Sequence, residues 1–136
     1  MSLKWSTEFQ VGVKEMDSQH QELISEMARL VDILTTGQNP IEAGVALSNL
    51  EGQLDDHFSL EEALMSKYAY AASFRHKKAH EAYRRDFLAF KEEVVVAFSK
   101  GDPLEPVAVK IRDLLVNHIR DHDLDLGRHI REARGA

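Results

Sequence analysis

The sequence of 136 residues contains no cysteine, and this absence removes a whole group of functions. Disulfide frameworks, thiol nucleophiles, iron–sulfur clusters and thiolate zinc sites all require cysteine and are excluded. Any metal ion bound by this chain must therefore be held by nitrogen and oxygen atoms. The lack of cysteine is also compatible with a reducing compartment, where disulfides do not persist.

Glycine and proline are scarce, with 7 and 3 residues, which leaves little material for long loops or flexible linkers. Long apolar runs are missing as well, since the longest one, Val94 to Phe98, is far too short to span a membrane. The first ten residues contain no apolar signal core, so we expect a cytoplasmic protein without membrane insertion. The length suits one hydrophobic core, and we expect a single domain over residues 1–136.

Positive charge is in the minority, because 17 basic residues stand against 23 acidic ones and the net charge is -6. This balance disfavours general attraction to nucleic acid phosphates or anionic lipids, so we expect no nucleic acid partner. The hydrophobic fraction of 43% and the charged fraction of 29% are typical of a folded globular protein. The residue type that is abundant is histidine, with seven copies, and their positions carry the functional argument.

The first helix is predicted from signals at both of its ends. Ser18 and Gln21 have the spacing of a capping box, and Gly37 suits the left-handed residue that ends a helix. These signals predict a helix over residues 18–36, preceded by an N-terminal arm over residues 1–17.

The second helix is predicted to begin at Pro40, because Asn39 is a good N-cap and proline is favoured in the first helical turn. It should extend to about residue 67. A weaker break follows over residues 68–73, where several alanines would also tolerate a helix.

A third helix is predicted over residues 73–99, ended by the Gly101-Asp102-Pro103 segment, and a fourth from Pro106 to about residue 131. No stretch alternates between apolar and polar residues in the manner of a strand. Helices of this length are about 30 to 40 Å long, and short connections make neighbours antiparallel. The sequence therefore predicts an all-α, up-down-up-down four-helix bundle over residues 18–131.

Several polar residues occupy positions that helical periodicity assigns to the core. The apolar stripe of the second helix passes through His57 and Glu61, and that of the third through His76 and His80. His20 and His118 take the same kind of position in the first and fourth helices. In an antiparallel bundle these residues can all fall at one end of the molecule.

A buried Glu61 needs a partner, because an isolated buried carboxylate is costly unless it is paired or bound to a cation. Histidines four residues apart on a helix project side by side and can chelate one metal ion. The alternative is a plain bundle with hydrogen-bonded core histidines, but five inward histidines beside one carboxylate favour a metal site. Five imidazoles are too many for one ion, which indicates two ions that share bridging carboxylates.

A second bridging carboxylate is expected on the fourth helix. The candidates close to His118 are three aspartates, Asp121, Asp123 and Asp125. Helical periodicity favours His122, four residues after His118, over Asp123, which is five residues after it. A local widening of the helix would bring the fifth residue inward instead.

Seven residues and their spacings form one pattern across the four helices: His20, His57-x-x-x-Glu61, His76-x-x-x-His80 and His118-x-x-x-x-Asp123. This pattern resembles the hemerythrin family, and in particular its bacterial single-domain members. The resemblance extends over nearly the whole chain, since the N-terminal arm and the second helix also contain residues similar to the family: Trp5, Val11-Gly12-Val13, Asp17, Phe58, Glu62 and Met65.

The resemblance implies two non-haem iron ions. One iron would be held by three histidines, His76, His80 and His118, and the other by two, His20 and His57. Both would be bridged by two carboxylates, Glu61 and Asp123, together with a solvent-derived oxo or hydroxo group. Dioxygen would bind reversibly at the iron with two histidines, beside two apolar pocket residues, Leu115 and Ile119.

Three further residues receive weaker assignments. His122 and His129 match no ligand of the family, and we expect them to be solvated or to lie outside the ligand layer. Asp17 is expected to be a helix cap or a partner of His20.

The resemblance implies reversible oxygen binding for carriage, storage or supply of oxygen, and no enzymatic activity. One alternative is a sensor of oxygen, nitric oxide or redox state that acts on an unidentified protein partner. Another is a di-iron peroxidase or oxidase. Ferritin-like oxidases carry Glu-x-x-His on two helices, and none of the seven histidines here has a glutamate three residues before it.

Overall fold

The computed structural model describes residues 3–36 and 39–135. These residues form helices and turns without any β-strand. In chain order the elements are a 3-10 helix (Thr7–Phe9), α1 (Lys14–Thr36), α2 (Pro40–Lys67), α3 (Ser73–Lys100), α4 (Glu105–His118), a π-helical turn (Ile119–Asp123) and α5 (Leu124–Ala133).

The helices build the predicted antiparallel bundle. The π turn joins α4 to α5 without a break, so these three elements together form the fourth long helix. Helix α1 packs against α2 and α4, and α3 packs against the same two helices. The all-α, up-down-up-down prediction is confirmed. Among the described helices, none is long and apolar enough to cross a membrane.

The boundaries of α2 and α3 agree with the sequence signals. The side chain of Asn39 accepts a hydrogen bond from the backbone N–H of Glu42 at 3.0 Å, as expected of an N-cap. Gly101 has a φ of +72° and ends α3 in the left-handed conformation. The signal predicted at Gly37 lies outside the described residues.

The predicted start of the first helix is wrong by four residues. Helix α1 begins at Lys14, so Ser18 lies inside the helix and does not cap it. The cause is Asp17, whose carboxylate accepts hydrogen bonds from the backbone N–H groups of Val11 at 2.7 Å and Gly12 at 3.1 Å. These bonds fold the end of the arm onto the helix and allow the helix to start earlier.

The arm packs closely against α5 at a glycine. A Cβ atom placed on Gly127 would lie 2.6 Å from Cβ and 2.8 Å from the carbonyl oxygen of Val11. Since the second of these atoms belongs to the backbone, the contact cannot be relieved by rotating a side chain. Glycine is therefore required here for the arm to reach the bundle.

We expect Gly127→Ala to lower the free energy of unfolding by about 1–3 kcal/mol, because the added methyl group would push the arm away. The matched control is Gly52→Ala inside α2, where no heavy atom lies within 4 Å of the new Cβ. That change should raise the free energy of unfolding by roughly 0.5–1 kcal/mol through helix propensity. Urea unfolding of both variants measures the difference, and equal stability of the two would contradict the close packing.

The predicted break after α2 is confirmed, and the turn contains a strained alanine. The N–H of Ala69 bonds to the carbonyl of Ser66 at 3.3 Å, and that of Tyr70 bonds to the carbonyl of Met65 at 3.0 Å. This is the Schellman pattern, in which the left-handed position is usually glycine. Ala69 occupies it with a φ of +48°.

We expect Ala69→Gly to raise the free energy of unfolding by roughly 0.5–1 kcal/mol, because the left-handed conformation costs a non-glycine residue more than the entropy that glycine loses. Gly101→Ala, at the corresponding position after α3, should have the opposite effect. Thermal unfolding of both variants measures this, and a lower melting temperature for Ala69→Gly would show that the turn is not strained.

A layer of polar residues separates two apolar cores. Along α2, Phe58 belongs to the larger core and Leu64 to the smaller one, with Glu61 between them. Along the fourth helix, Ile119 belongs to the larger core and Leu126 to the smaller one, with Asp123 between them. The polar layer is therefore enclosed by apolar side chains above and below.

Candidate metal centre

The structure brings all seven residues of the sequence pattern into this polar layer. Each is buried, and the most exposed of them, His118, has a relative accessibility of only 6%. They come from α1, α2, α3, α4 and the π turn: His20, His57, Glu61, His76, His80, His118 and Asp123. Seven buried polar residues in one layer require partners in each other or in bound cations.

Asp123 divides its two oxygen atoms between two groups of histidines. Its Oδ2 lies 2.9 Å from Nε2 of His20 and 3.1 Å from Nε2 of His57. Its Oδ1 lies 3.2 Å from Nε2 of His76 and 3.2 Å from Nε2 of His118. One carboxylate oxygen thus faces each group.

Glu61 divides its oxygen atoms in the same way. Its Oε2 lies 3.4 Å from Nε2 of His57. Its Oε1 faces the other group, at 2.9 Å from Nε2 of His80, 3.3 Å from that of His76 and 3.8 Å from that of His118. Both carboxylates therefore have the arrangement needed to bridge two cations.

Two candidate cation positions follow from this geometry. The three-histidine position is surrounded by Glu61, His76, His80 and His118, and the two-histidine position by His20, His57, Glu61 and Asp123. Within each group the donor atoms lie within 4.8 Å of one another. Since Oδ1 of Asp123 also faces the first group, the three-histidine position has one more protein donor than the two-histidine position.

Buried polar atoms without hydrogen-bond partners indicate that this layer is a site for cations. Among the described residues, Oε2 of Glu61, Nε2 of His76, Nε2 of His118 and Oδ1 of Asp123 are buried without a hydrogen bond. Leaving such atoms unsatisfied costs about 1–3 kcal/mol each. Imidazole nitrogens and carboxylate oxygens suit iron, manganese and zinc, so the donor set fits a pair of such ions.

In His20 and His57 one ring nitrogen, Nδ1, faces away from the centre, and the hydrogen bond at Nδ1 determines the orientation of Nε2. Nδ1–H of His20 donates to the carbonyl oxygen of Phe9 at 3.2 Å, and Nδ1–H of His57 donates to Oε1 of Gln19 at 2.8 Å. A carbonyl oxygen can only accept, so each Nδ1 carries a proton, and Nε2 is the nitrogen that faces the centre and would bind a cation. Of the two roles expected for Asp17, a contact with His20 is absent from the hydrogen bonds of the described residues, and the carbonyl of Phe9 is the partner of His20 instead.

His80 has a different outer partner. Its Nδ1–H donates to Oε2 of Glu62 at 2.8 Å. Its ring also stacks on Phe58, with a centroid distance of 4.0 Å and an interplanar angle of 18°. The roles of Glu62 and Gln19 could not be predicted from the sequence, because both lie at half-buried positions beside the apolar stripe.

The π turn decides between the alternatives on the fourth helix. The N–H of Leu124 bonds to the carbonyl of Ile119, five residues earlier, and this wider turn directs Asp123 inward. His122, which ideal periodicity favours, lies at the outer edge, with its ring centroid 5.2 Å from that of His118. The remaining candidates, Asp121 and Asp125, are not among the buried residues.

His129 lies outside the centre. Its Nε2 donates a hydrogen bond to the carbonyl oxygen of Tyr68 at 2.7 Å, which ties α5 to the end of α2. The two predicted pocket residues, Leu115 and Ile119, are buried in the larger core at 1% and 0% exposure. Leu115 stands three residues before His118, and Ile119 follows it directly.

The electrostatics of the metal-free protein couple the histidines to the carboxylates. Burial alone would lower the pKa of His57, but the charge of Glu61 and the hydrogen bond to Asp123 raise it to about 10. The pKa of His118 is raised to about 9 against its burial, chiefly by the charge of Asp123. Burial raises the pKa values of Glu61 and Asp123, but the histidines outweigh this effect. Both pKa values therefore lie well below their usual range.

These shifts predict how the stability of the metal-free protein depends on pH. Because the pKa of His57 lies above its usual 6.5, its stabilising contribution is complete below pH 6.5 and is lost as the pH rises through about 10. A cation replaces these protons, so the metal-loaded protein should vary much less over this range. Urea midpoints of both forms between pH 6 and pH 10 measure this, and parallel curves would contradict the coupling.

Comparison with known proteins agrees with the geometry. A family model described as the hemerythrin HHE cation binding domain matches residues 11–130. A bacteriohemerythrin of Pseudomonas paraeruginosa is 28% identical over 130 residues, which cover 93% of this chain and 82% of that protein. A bacteriohemerythrin of Aquifex aeolicus is 30% identical, with 82% of each chain covered, and a hemerythrin-like protein of Naegleria gruberi is 29% identical, with 88% of this chain and 87% of that protein covered. The chain therefore belongs to the hemerythrin family.

Proposed function

We propose that this protein binds dioxygen reversibly at a non-haem di-iron centre and serves in carriage, storage or supply of oxygen. The observation that carries the proposal is the division of both carboxylates between two histidine groups. Membership of the hemerythrin family favours iron over the other metals that this donor set can bind.

The seven buried residues are proposed as the protein ligands: His76, His80 and His118 at one iron, His20 and His57 at the other, and Glu61 and Asp123 between them. When bound, the iron pair supplies an open coordination position and the electrons for reversible oxygen binding. The two-histidine position has one protein donor fewer, since Oδ1 of Asp123 adds to the three-histidine position, and this favours oxygen binding at the two-histidine position.

The side chains around this centre offset the charge of the cations and exclude water. Glu61 and Asp123 offset the charge of the cations inside an apolar bundle. Leu115 and Ile119 are proposed to wall the oxygen pocket, and their complete burial excludes water from the centre. The hydrogen bonds that His20 donates to the carbonyl of Phe9 and His57 donates to Gln19 hold both rings in one orientation.

The test is an optical spectrum of the ferrous protein, prepared without air, before and after oxygen is admitted and removed. Iron is counted per chain in the same sample. Two irons with a visible charge-transfer band that appears and disappears with oxygen would support the proposal. Two irons with rapid irreversible oxidation would overturn reversible carriage and favour sensing or peroxide chemistry, and absence of iron would overturn the metal assignment.

A further inference from the structure

The outer hydrogen-bond partners of the histidines differ in charge between the two metal positions. At the two-histidine position the partners are neutral, a backbone carbonyl for His20 and a side-chain amide oxygen for His57. At the three-histidine position, His80 donates to the carboxylate of Glu62 at 2.8 Å. The two positions therefore differ in their surroundings as well as in their number of donors.

A carboxylate partner changes the ligand that it contacts. Charge-assisted hydrogen bonds are roughly twice as strong as neutral ones, so the Nδ1–H bond of His80 is more polarised than that of His57. Polarising this bond moves electron density toward Nε2 and makes the imidazole a better donor to a cation. An amide oxygen orients the ring of His57 in the same way but contributes less electron density.

The carboxylate of Glu62 pairs with His80 and with no other imidazole or cationic side chain among the described residues. The side chain of Glu62 is 36% exposed, while that of His80 is completely buried. Water therefore reaches the outer side of the carboxylate but not the hydrogen-bonded ring.

We propose that Glu62 and Gln19 are positioning residues that make the two metal positions unequal. Glu62 strengthens the binding of the cation at the three-histidine position. Gln19 is a neutral partner and gives no such strengthening, so the two-histidine position binds its cation less tightly. The cation at the two-histidine position is then the first to exchange. This inference rests on the proposed function only in requiring that two cations bind.

The test is a zinc titration of the metal-free protein in competition with a chromophoric chelator, which yields two stepwise dissociation constants. Glu62→Gln should weaken the tighter step about 10- to 100-fold and leave the weaker step nearly unchanged. Gln19→Glu should strengthen the weaker step. The double variant should bring the two constants closer together or reverse their order.

A second readout separates an electronic effect from a loss of structure. In the zinc-loaded protein, the Nδ1–H proton resonance of His80 should move upfield in Glu62→Gln, while that of His57 stays in place. The control is Glu92→Gln, which removes one negative charge from an exposed position on α3, about three turns after His80. It should change neither the dissociation constants nor the two resonances.

The outcomes distinguish this inference from the proposed function. If the unmodified protein binds two zinc ions and Glu62→Gln leaves the tighter step unchanged, the inference is wrong and the metal centre stands. If both steps weaken equally in Glu62→Gln, Glu62 has only a structural role and the inference is again wrong. If the unmodified protein binds no zinc, the metal centre itself is overturned.

Discussion

Glu61→Ala is expected to reduce the iron content of the protein from the proposed two ions to fewer than one per chain. The substitution removes one oxygen donor from each metal position, because the two oxygens of Glu61 face different histidine groups. In the metal-free protein it also leaves buried imidazolium groups with one counter-charge fewer. Breaking a buried ion pair in this way costs about 3–5 kcal/mol, so the variant should also be much less stable without metal.

Elemental analysis and urea unfolding measure the two effects, and Glu92→Ala on the exposed face of α3 is the control. The control should keep two irons per chain and nearly normal stability. A plain bundle with buried histidines makes the opposite prediction, since its stability would survive the loss of Glu61. Normal stability of metal-free Glu61→Ala together with an unchanged metal content would refute the bridging role.

Phe58→Ala is expected to lower the free energy of unfolding by about 3–5 kcal/mol and to accelerate oxidation of the iron-loaded protein. The ring is completely buried and stacks on His80 at 4.0 Å, and its neighbours include Tyr83 at a centroid distance of 5.3 Å. A cavity of about 240 Å³ lies beside it, lined also by Leu54 and Phe87. Removing the ring would join this cavity to the metal centre and admit water.

Phe87→Ala is the matched control, because Phe87 is buried and lines the same cavity but has no ring contact with a histidine among the described residues. It should destabilise the bundle by a similar amount without changing the oxidation rate. Stopped-flow spectroscopy of the reduced proteins mixed with oxygen measures that rate. Equal rates in the two variants would show that Phe58 contributes packing only.

The sequence predicted the bundle well because the apolar stripes are regular and the helix signals are local. The expectation that His57 and Glu61 face inward followed from periodicity, and the cost of burying Glu61 pointed to a cation. The start of α1 could not be predicted, because it depends on Asp17 reaching back to the backbone of Val11. That contact is visible only once the arm has folded.

Two other features also depend on three-dimensional geometry. Asp123 faces inward only because the helix widens locally, and a fixed period of 3.6 residues favours His122 instead. The roles of Gln19 and Glu62 depend on the separation between helices, since each side chain reaches a histidine on another helix. Their half-buried positions give no periodic signal.

The π turn predicts that the fourth helix would tolerate the loss of one residue. Five residues close one turn between Ile119 and Leu124, whereas four residues of an α-helix advance by about 400°, slightly more than one turn. Deleting one residue between Ile119 and Asp123 would convert this turn to an α-turn, keep the carboxylate on the face of His118, and leave Leu126 in register with the smaller core. We therefore expect an aspartate four residues after His118 to face the centre in such a deletion variant, in the place that Asp123 takes here.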